Sequence, residues 1–364
     1  MKKKFKRILI INPYGIGDVL FTTPVIRNLK EEFPDARIAY ICNSRVRPFL
    51  RQDKFLDEVI AFEKEEMVKI LKRSKIDFFK KGWAFISSIR KKRFDLVIDY
   101  SLNFQFSMFT VFAGIKTRIG LDRKRRSRFL TKRIPLEGFS DKHVVDYYLS
   151  VLELIGIQPK RFPLELNMRK EDLDAASDIL RMKGINPGKD FCVAICPGGG
   201  QSWGEQADRK HWPAVKFAEL ADQIIKELGV KVMIFAGLKE DSIGNKVSNF
   251  MKEKALNFSG KTSLVEFLSL LSKCKLLIAN DGGPLHIAAA LGLNVVSIFG
   301  PVDEKVYGPY PDQAKHLVIK KDISCRPCYK NFRLADCLHD KECLISISIE
   351  EVFDKVKTFY KDKG

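Results

Sequence analysis

The chain has 364 residues, 45% of them hydrophobic and 30% charged. These values are typical of a globular protein and exclude a disordered chain. No segment reaches the ~18 consecutive apolar residues that a membrane-spanning helix needs. The apolar run 8–11 after the basic N-terminus ends at once at Asn12 and Pro13, unlike a signal peptide. We therefore expect a cytoplasmic protein with two domains, because the length exceeds that of one ordinary α/β core.

The net charge of +19 is concentrated in the first half of the chain. Residues 1–170 contain 37 Lys and Arg against 19 Asp and Glu, whereas residues 171–364 contain 27 against 26. This asymmetry indicates an acidic partner: nucleic acid, an anionic membrane surface or a polyanionic substrate. In the densest stretch, 116–133, nine basic residues accompany one acid. It is either a solvated loop or helix face, or a contact for phosphates and carboxylates.

Two successive sets of alternating strands and helices follow one another along the chain. In the first half, strands are predicted at 7–12, 36–41 and 94–100, and helices at 19–33, 64–93 and 144–155. In the second half, helices are predicted at 173–182, 214–228, 264–271 and 285–291, and strands at 191–196, 230–236, 275–280 and 294–299. The strands are continuously apolar, as in parallel sheets buried on both faces. This pattern predicts an α/β protein with two doubly wound domains, whose ligands bind where strands turn into helices.

The turn after the first strand contains Gly15, Gly17 and Asp18, but Leu20 occupies the third glycine position of a dinucleotide fingerprint. An oxidoreductase or epimerase of the Rossmann type is therefore disfavoured. Asp18 is either a first-turn acid that stabilises the helix or a base that takes a proton from an acceptor hydroxyl.

Two later turns carry the features of an anion site. Glycines at 198–200 allow backbone N–H groups to approach an anion, and Lys210 follows where it could neutralise a departing diphosphate. The alternative is a flexible loop with a solvated lysine. The third turn begins at Asp281, continues through Gly282 and Gly283, and opens a helix that includes His286. Its helix dipole would support a phosphate.

Metal independence is a further expectation. The only Asp-x-Asp, at Asp172 and Asp174, falls in a predicted surface helix and is a poor metal–nucleotide ligand. A second possible metal site comes from a cysteine cluster in the polar segment near the C-terminus. Structural zinc, a disulfide and free thiols all stay open for its members, which are Cys325, Cys328, Cys337 and Cys343. The other four cysteines are expected in the core: Cys42, Cys192, Cys196 and Cys274.

The three turns, in this order and spacing, resemble glycosyltransferase family 9, the ADP-heptose:lipopolysaccharide heptosyltransferases. The matching pieces include ILIINPYGIGDVLF, PGGGQSWGEQADRKHWP and ANDGGPLHIAAALGLNVV, and the similarity covers most of residues 6–350. The resemblance implies a GT-B fold with two facing Rossmann-like domains and a cleft between them. It assigns 1–170 to acceptor binding, 171–345 to the nucleotide sugar, and 346–364 to a helix that returns towards the N-terminal domain.

The resemblance also implies a mechanism and a set of site residues. Asp18 would be the catalytic base and Lys210 would contact the donor phosphate in an inverting, metal-independent transfer from ADP-heptose or a related nucleotide sugar. Donor-binding residues would be Gly198, Gly199, Ser202, Glu240, Asp281, Gly282, Gly283 and His286. Acceptor-binding residues would be Gly17, Thr22, Arg123 and Arg126. The glycine loop departs from the commoner family motif by extra residues before Asp208.

The implied acceptor is an anionic glycolipid of the lipid A–Kdo type, met by a protein peripheral to the inner face of the inner membrane. Two alternatives stay open. One keeps the family and changes the nucleotide sugar or uses a non-lipopolysaccharide acceptor. The other is a nucleic-acid-binding protein, which we disfavour because no nucleic-acid module can be identified and the glycine turns would go unexplained.

Overall fold

The computed structural model describes residues 4–361, without the side chains of Ser202 and Lys361. The chain divides into two compact units, Met1–Phe162 and Pro163–Gly364. Within the described residues, no helix is long and apolar enough to cross a bilayer.

The first unit is a parallel sheet with helices on its faces. Its elements in chain order are β1 (Arg7–Ile11), α1 (Ile16–Leu20), α2 (Thr23–Glu32), β2 (Arg37–Cys42), α3 (Arg47–Leu50), β3 (Glu58–Ala61), α4 (Lys64–Arg73), α5 (Lys75–Lys91), β4 (Leu96–Asp99), α6 (Phe104–Phe112), β5 (Thr117–Arg123), β6 (Lys132–Leu136) and α7 (Val144–Ser150), followed by a 3₁₀ helix (Val151–Ile155). The six strands are all parallel in the order β3-β2-β1-β4-β5-β6. The strand order reverses at β1 and β4, which therefore form the switch point where such sheets bind ligands.

The second unit repeats this arrangement. Its elements are α8 (Lys170–Met182), β7 (Cys192–Cys196), a 3₁₀ segment (Gln201–Lys210), α9 (Ala214–Leu228), β8 (Lys231–Ile234), α10 (Asp241–Phe250), β9 (Leu256–Asn257), α11 (Leu264–Leu271), β10 (Leu276–Asn280), α12 (Gly283–Ala290), β11 (Asn294–Ile298), α13 (Glu304–Tyr307), β12 (His316–Ile319), β13 (Tyr329–Lys330), β14 (Arg333–Leu334), α14 (Glu342–Ile345) and α15 (Ile349–Lys361). Six parallel strands run in the order β12-β11-β10-β7-β8-β9. Its switch point lies between β7 and β10.

Buried apolar side chains stabilise both sheets. In β1 and β10 every residue except Arg7 is buried, as expected for strands covered on both faces. In the second unit, α9 and α15 pack together, and apolar residues of both join the core cluster of the strands. Helix α15 also contacts β11 and β12 of this unit. The return of the last helix towards the N-terminal domain stays a prediction.

Two helices predicted as continuous are broken in the structure. The segment predicted at 19–33 forms α1 and α2, because Pro24 has no N–H to continue the helix and the Thr22 hydroxyl donates to the carbonyl of Val19. The segment predicted at 64–93 breaks at Ser74, which is extended and accepts a hydrogen bond from the amide of Asp77. Part of the basic stretch 116–133 forms strands β5 and β6 instead of a helix or loop.

Candidate functional site

In the first unit, the turn that carries Asp18 is held by two asparagines. The Asn12 amide donates to the Asp18 carbonyl at 3.0 Å, and the Asn12 side-chain oxygen accepts from the Tyr14 amide at 3.2 Å. The Asn43 amide donates to the carbonyls of Pro13 and Tyr14. Asp18 itself is partly buried in the first turn of α1, and Gly17 precedes it in the same helix. The turn therefore has a fixed geometry at the carboxyl end of β1.

Charged groups converge on Tyr14 at this edge of the sheet. Burial raises the pKa of Tyr14, and the nearby charges of Asp18 and Asp99 raise it further, whereas Arg123 and Arg126 lower it. The Tyr14 hydroxyl donates to the Ser101 carbonyl after β4. The structure thus brings the predicted base, Asp18, and the two predicted acceptor arginines within electrostatic range of one side chain. Arg126 is exposed in the turn after β5, and Arg123 is partly buried at the end of that strand.

Asp99 was not identified from the sequence, although it ends β4 beside β1 at the switch point. Its side chain is buried, and one carboxylate oxygen accepts from the Ser101 amide at 2.8 Å. Among the described residues, its Oδ2 has no hydrogen-bond partner. Burial raises the pKa of Asp99 to about 6, and hydrogen bonds from Ser101 lower it in part. The sequence interpretation missed Asp99 because it lies in an apolar strand, where its charge is the only feature that distinguishes it.

Thr22 lies inside the first unit. It is fully buried, and its hydroxyl contacts the Val19 carbonyl at 2.6 Å and the Tyr40 hydroxyl at 2.8 Å. The hydroxyl therefore supports the end of α1 and the buried side chain of Tyr40. Its role in acceptor binding stays a prediction that this arrangement does not favour.

In the second unit, two glycine turns meet at the switch point. A side chain on Gly199 would place its Cβ 3.0 Å from the Asp281 carbonyl oxygen, and one on Gly282 would place it 3.1 Å from Gly199 Cα. Gly199 also has φ +124°, which favours glycine. The turns after β7 and β10 are therefore packed backbone against backbone. The Asn280 amide joins them by donating to the Pro197 carbonyl at 2.6 Å.

Lys210 and Asp281 form a buried ion pair between these turns. The Lys210 Nζ lies 2.5 Å from Asp281 Oδ2, and both side chains are almost completely shielded from solvent. The ammonium also lies 4.2 Å from the centre of the Trp203 ring, within cation–π range. Trp203 was not predicted as a site residue, although it falls within the quoted motif. The alternative of a solvated lysine is wrong, because Lys210 is buried.

Glu240 contacts the first glycine turn directly. Its Oε1 accepts from the Gly199 amide at 3.0 Å, and a Cβ on Gly198 would lie 3.1 Å from its carboxyl carbon. Glu240 thereby joins the beginning of α10 to the loop after β7. His211, another residue that the sequence interpretation missed, places Nε2 2.7 Å from the Gly199 carbonyl oxygen.

Helix α12 begins beside the ion pair. Gly282 is its N-cap, no side chain caps it, and Pro284 stands in its first turn. The helix N-terminus can therefore stabilise an anion through its backbone and dipole. His286 is buried in the same turn. The side chain of Ser202 lies outside the described part of the structure, so its predicted contact has no geometry.

The C-terminal cysteines line one pocket together with Arg209 and His339. Cys325, Cys328, Cys337 and Cys343 are all free thiols. Backbone hydrogen bonds from Lys341 and His339, with a smaller contribution from Arg209, hold the pKa of Cys337 below its usual value. Between residues 4 and 361, no group of three or more His, Cys, Asp or Glu is arranged to hold a metal ion. The four core cysteines are buried as expected.

Sequence comparisons extend across nearly the whole chain. Residues 82–339 match the family described as glycosyltransferase family 9 (heptosyltransferase). The chain is 24% identical over 372 aligned residues to lipopolysaccharide heptosyltransferase 2 of Salmonella typhimurium, covering 98% of this chain and 99% of the relative. It is 26% identical over 322 residues to lipopolysaccharide heptosyltransferase 2 of Escherichia coli K12, covering 85% and 87%.

Solved structures give the same fold. A glycosyl transferase family 9 protein from Veillonella parvula aligns with a TM-score of 0.81 and 24% identity, covering 100% of this chain and 99% of that one. The E. coli ADP-heptose lps heptosyltransferase II aligns with a TM-score of 0.75 and 24% identity, covering 98% and 99%. The predicted α/β fold class, with two Rossmann-like units of the GT-B type, is confirmed. The family match spans more than half of the chain, which therefore belongs to glycosyltransferase family 9 and is a glycosyltransferase.

Proposed function

We propose that this glycosyltransferase moves heptose from ADP-heptose to an inner-core acceptor of lipopolysaccharide, with inversion at the anomeric carbon. The names of the relatives from Salmonella and E. coli support the sugar and the acceptor class. The observation that carries the donor half of the proposal is the buried Lys210–Asp281 pair between two glycine turns. A positive charge beside the uncapped N-terminus of α12 is suited to a diphosphate leaving group.

The second unit binds the nucleotide sugar in this proposal. Asp281 orients the Lys210 ammonium, and the uncapped N-terminus of α12 lies immediately after Asp281. The Lys210 ammonium and the helix N-terminus both stabilise the negative charge that develops on ADP. A divalent metal ion has this role in other transferases. We therefore propose a transfer that needs no metal. Gly198, Gly199, Gly282 and Gly283 let the backbone approach the phosphates, with Ser202, Glu240 and His286 completing the donor contacts.

The first unit supplies the base and the acceptor contacts. Asp18 accepts the proton of an acceptor hydroxyl as its oxygen attacks the anomeric carbon from the face opposite ADP. The C1–O bond to the diphosphate breaks as the new glycosidic bond forms, which inverts the configuration. Arg123 and Arg126 would bind phosphates or carboxylates of a lipid A–Kdo-type glycolipid, with Gly17 nearby. Thr22 would support the turn from inside the unit through its contacts with Val19 and Tyr40. Such an acceptor places the protein in the cytoplasm, peripheral to the inner membrane.

A panel of nucleotides without added metal tests the donor half of this proposal. Thermal stability is measured with ADP, UDP, GDP, CMP and NAD, since a ligand that binds only the folded state raises Tm. Selective stabilisation by ADP is expected, and Lys210→Met should remove it. Selective stabilisation by UDP or GDP would contradict the heptose donor, and a response to NAD alone would contradict nucleotide-sugar binding.

A further inference from the structure

Helices α4 and α5 form a hairpin that lies on the first unit and is attached along one side only. In α5, Phe85 and Ile86 pack partly buried against the strand core, and Ile89 is buried. Helix α4 packs on α5 and has no buried residue. The outer side of this α4–α5 hairpin is therefore available to a partner.

The available side is apolar. Ile76, Phe79 and Trp83 of α5 expose between 61% and 70% of their surface. Their spacing of three and four residues places them in one row on the helix. Val68 and Leu71 of α4 are exposed as well. Contiguous exposed apolar groups of this size mark an interaction site, because a monomer in water rarely keeps them.

The same hairpin is strongly basic. Its residues 64–91 contain nine Lys and Arg against three Asp and Glu, a net charge of +6. Lys72 and Arg73 end α4, Lys75 begins α5, and Lys80 lies beside Phe79; all four are exposed. A row of apolar and aromatic residues bordered by Lys and Arg is typical of helices that lie in the interface of an anionic bilayer.

We propose that the α4–α5 hairpin docks this enzyme on an anionic phospholipid surface. Ile76, Phe79 and Trp83 enter the headgroup region, and the flanking lysines contact lipid phosphates. The inference deepens the peripheral membrane attachment proposed above and assigns it to one surface. A second copy of the chain is disfavoured as the occupant. A twofold contact through this face would bring together two hairpins that each carry a net charge of +6, and these would repel each other.

Flotation of the full-length protein with phospholipid vesicles free of glycolipid tests this surface. The protein is expected to float with vesicles containing roughly one third phosphatidylglycerol but not with phosphatidylcholine alone, and high salt should weaken the binding. The double variant Phe79→Ser/Trp83→Ser should reduce the bound fraction about tenfold. Met182→Ser is the matched control, because Met182 is a similarly exposed apolar residue in the second unit. It should bind as the unchanged protein does.

Tryptophan fluorescence gives a second readout of the same event. Trp212 is fully buried and Trp203 is partly buried, both in the second unit, whereas Trp83 of the hairpin is exposed. Anionic vesicles should therefore shift the emission to shorter wavelength in the unchanged protein but not in Trp83→Phe. Equal flotation of the double variant and the unchanged protein would overturn the proposal. A lipid-free dimer that the double variant dissociates would also overturn it, as an interface between copies.

The nucleotide response separates this inference from the proposed reaction. The double variant Phe79→Ser/Trp83→Ser and the variant Trp83→Phe should both keep the stabilisation by ADP, because the hairpin and the Lys210 turn belong to different units. If ADP stabilises the unchanged protein but the protein does not bind vesicles, only the hairpin assignment is contradicted. If the protein binds vesicles but ADP does not stabilise it, only the donor proposal is contradicted.

Discussion

Lys210 and Asp281 are 71 residues apart in sequence, yet their side chains form a buried ion pair of 2.5 Å. The pair exists because β7 and β10 are neighbours in the sheet, which brings the loops that follow them together. Asp281 thereby holds the Lys210 side chain beside Gly200 in the first glycine turn, where a Cβ would lie 3.0 Å from Lys210 Cδ. The pair is best understood as the element that prepares this turn for an anionic ligand.

Breaking this pair should separate its structural role from its binding role. Lys210→Met leaves the Asp281 carboxylate buried without its cation, which we expect to cost about 3–5 kcal/mol of unfolding free energy. The double variant Lys210→Met/Asp281→Asn should recover most of that loss but should still fail to bind ADP. Thermal unfolding and calorimetric titration with ADP measure the two effects. Full ADP affinity in the double variant would show that the lysine does not contact the nucleotide.

The close contact between the glycine turns can be tested at Gly199. Gly199→Ala places a methyl group 3.0 Å from the Asp281 carbonyl in a backbone conformation with φ +124°. The backbone conformation alone costs about 1–2 kcal/mol, and we expect ADP binding to weaken about tenfold as the turns separate. Gly188→Ala is the control, since Gly188 is exposed and its new Cβ would make only ordinary contacts. Unchanged ADP affinity in Gly199→Ala would contradict a backbone cradle.

Asp18→Asn tests the proposed base. The amide keeps the size of the side chain but cannot accept the proton, so the transfer rate should fall by at least about a hundredfold, while ADP affinity stays unchanged. Steady-state kinetics and titration with ADP provide the two readouts. Asp35→Asn, an exposed acid of the same unit, should retain full activity. Normal turnover by Asp18→Asn would assign the proton transfer to another group.

Asp99 should make stability depend on pH. Its pKa is raised by burial from 3.8 to about 6. Between these values the unfolded chain is ionised while the folded carboxyl keeps its proton, so stability falls as pH rises and levels off above about pH 6. Relative to Asp99→Asn, the unchanged protein should lose up to about 3 kcal/mol across this window. Unfolding followed from about pH 3 to about pH 7.5, which extends below the unfolded pKa of 3.8 and above the folded pKa of about 6, measures the difference. A difference that does not change with pH would contradict the buried acid.

Chelation should leave the transfer rate unchanged. In the proposed reaction the Lys210 ammonium and the N-terminus of α12 stabilise the leaving-group charge, and both belong to the chain. We expect equal rates with and without EDTA, measured as release of ADP from the sugar nucleotide. Loss of activity in EDTA that magnesium restores would contradict this assignment.

The sequence predicted those parts of the fold that local patterns encode. Apolar runs marked β1, β7 and β10, and glycines with a nearby Lys or Asp marked the turns that follow all three. Strands β5 and β6 were missed because Arg and Lys dominate the stretch 116–133, and Asp122 neutralises only part of that charge through an ion pair with Arg133.

Other features depend on tertiary contacts. The pairing of Lys210 with Asp281 requires the strand order, and the burial of Asp99 requires its position between β1 and β5. Neither can be obtained from spacing along the chain. The exposed row of Ile76, Phe79 and Trp83 also could not be distinguished from a row that faces the core. The helical periodicity shows that a helix has an apolar side, but it does not show which part of the protein covers that side.

The most direct test of the proposed function is mass spectrometry of a glycolipid acceptor after incubation with the full-length enzyme and ADP-heptose in EDTA. The acceptor is a lipid A–Kdo type glycolipid, presented with and without a first heptose. We expect that one acceptor gains a heptosyl residue, that ADP is released in equal amount, and that Asp18→Asn gives no product. No product from ADP-heptose, together with turnover of a UDP- or GDP-linked sugar, would contradict the proposed function.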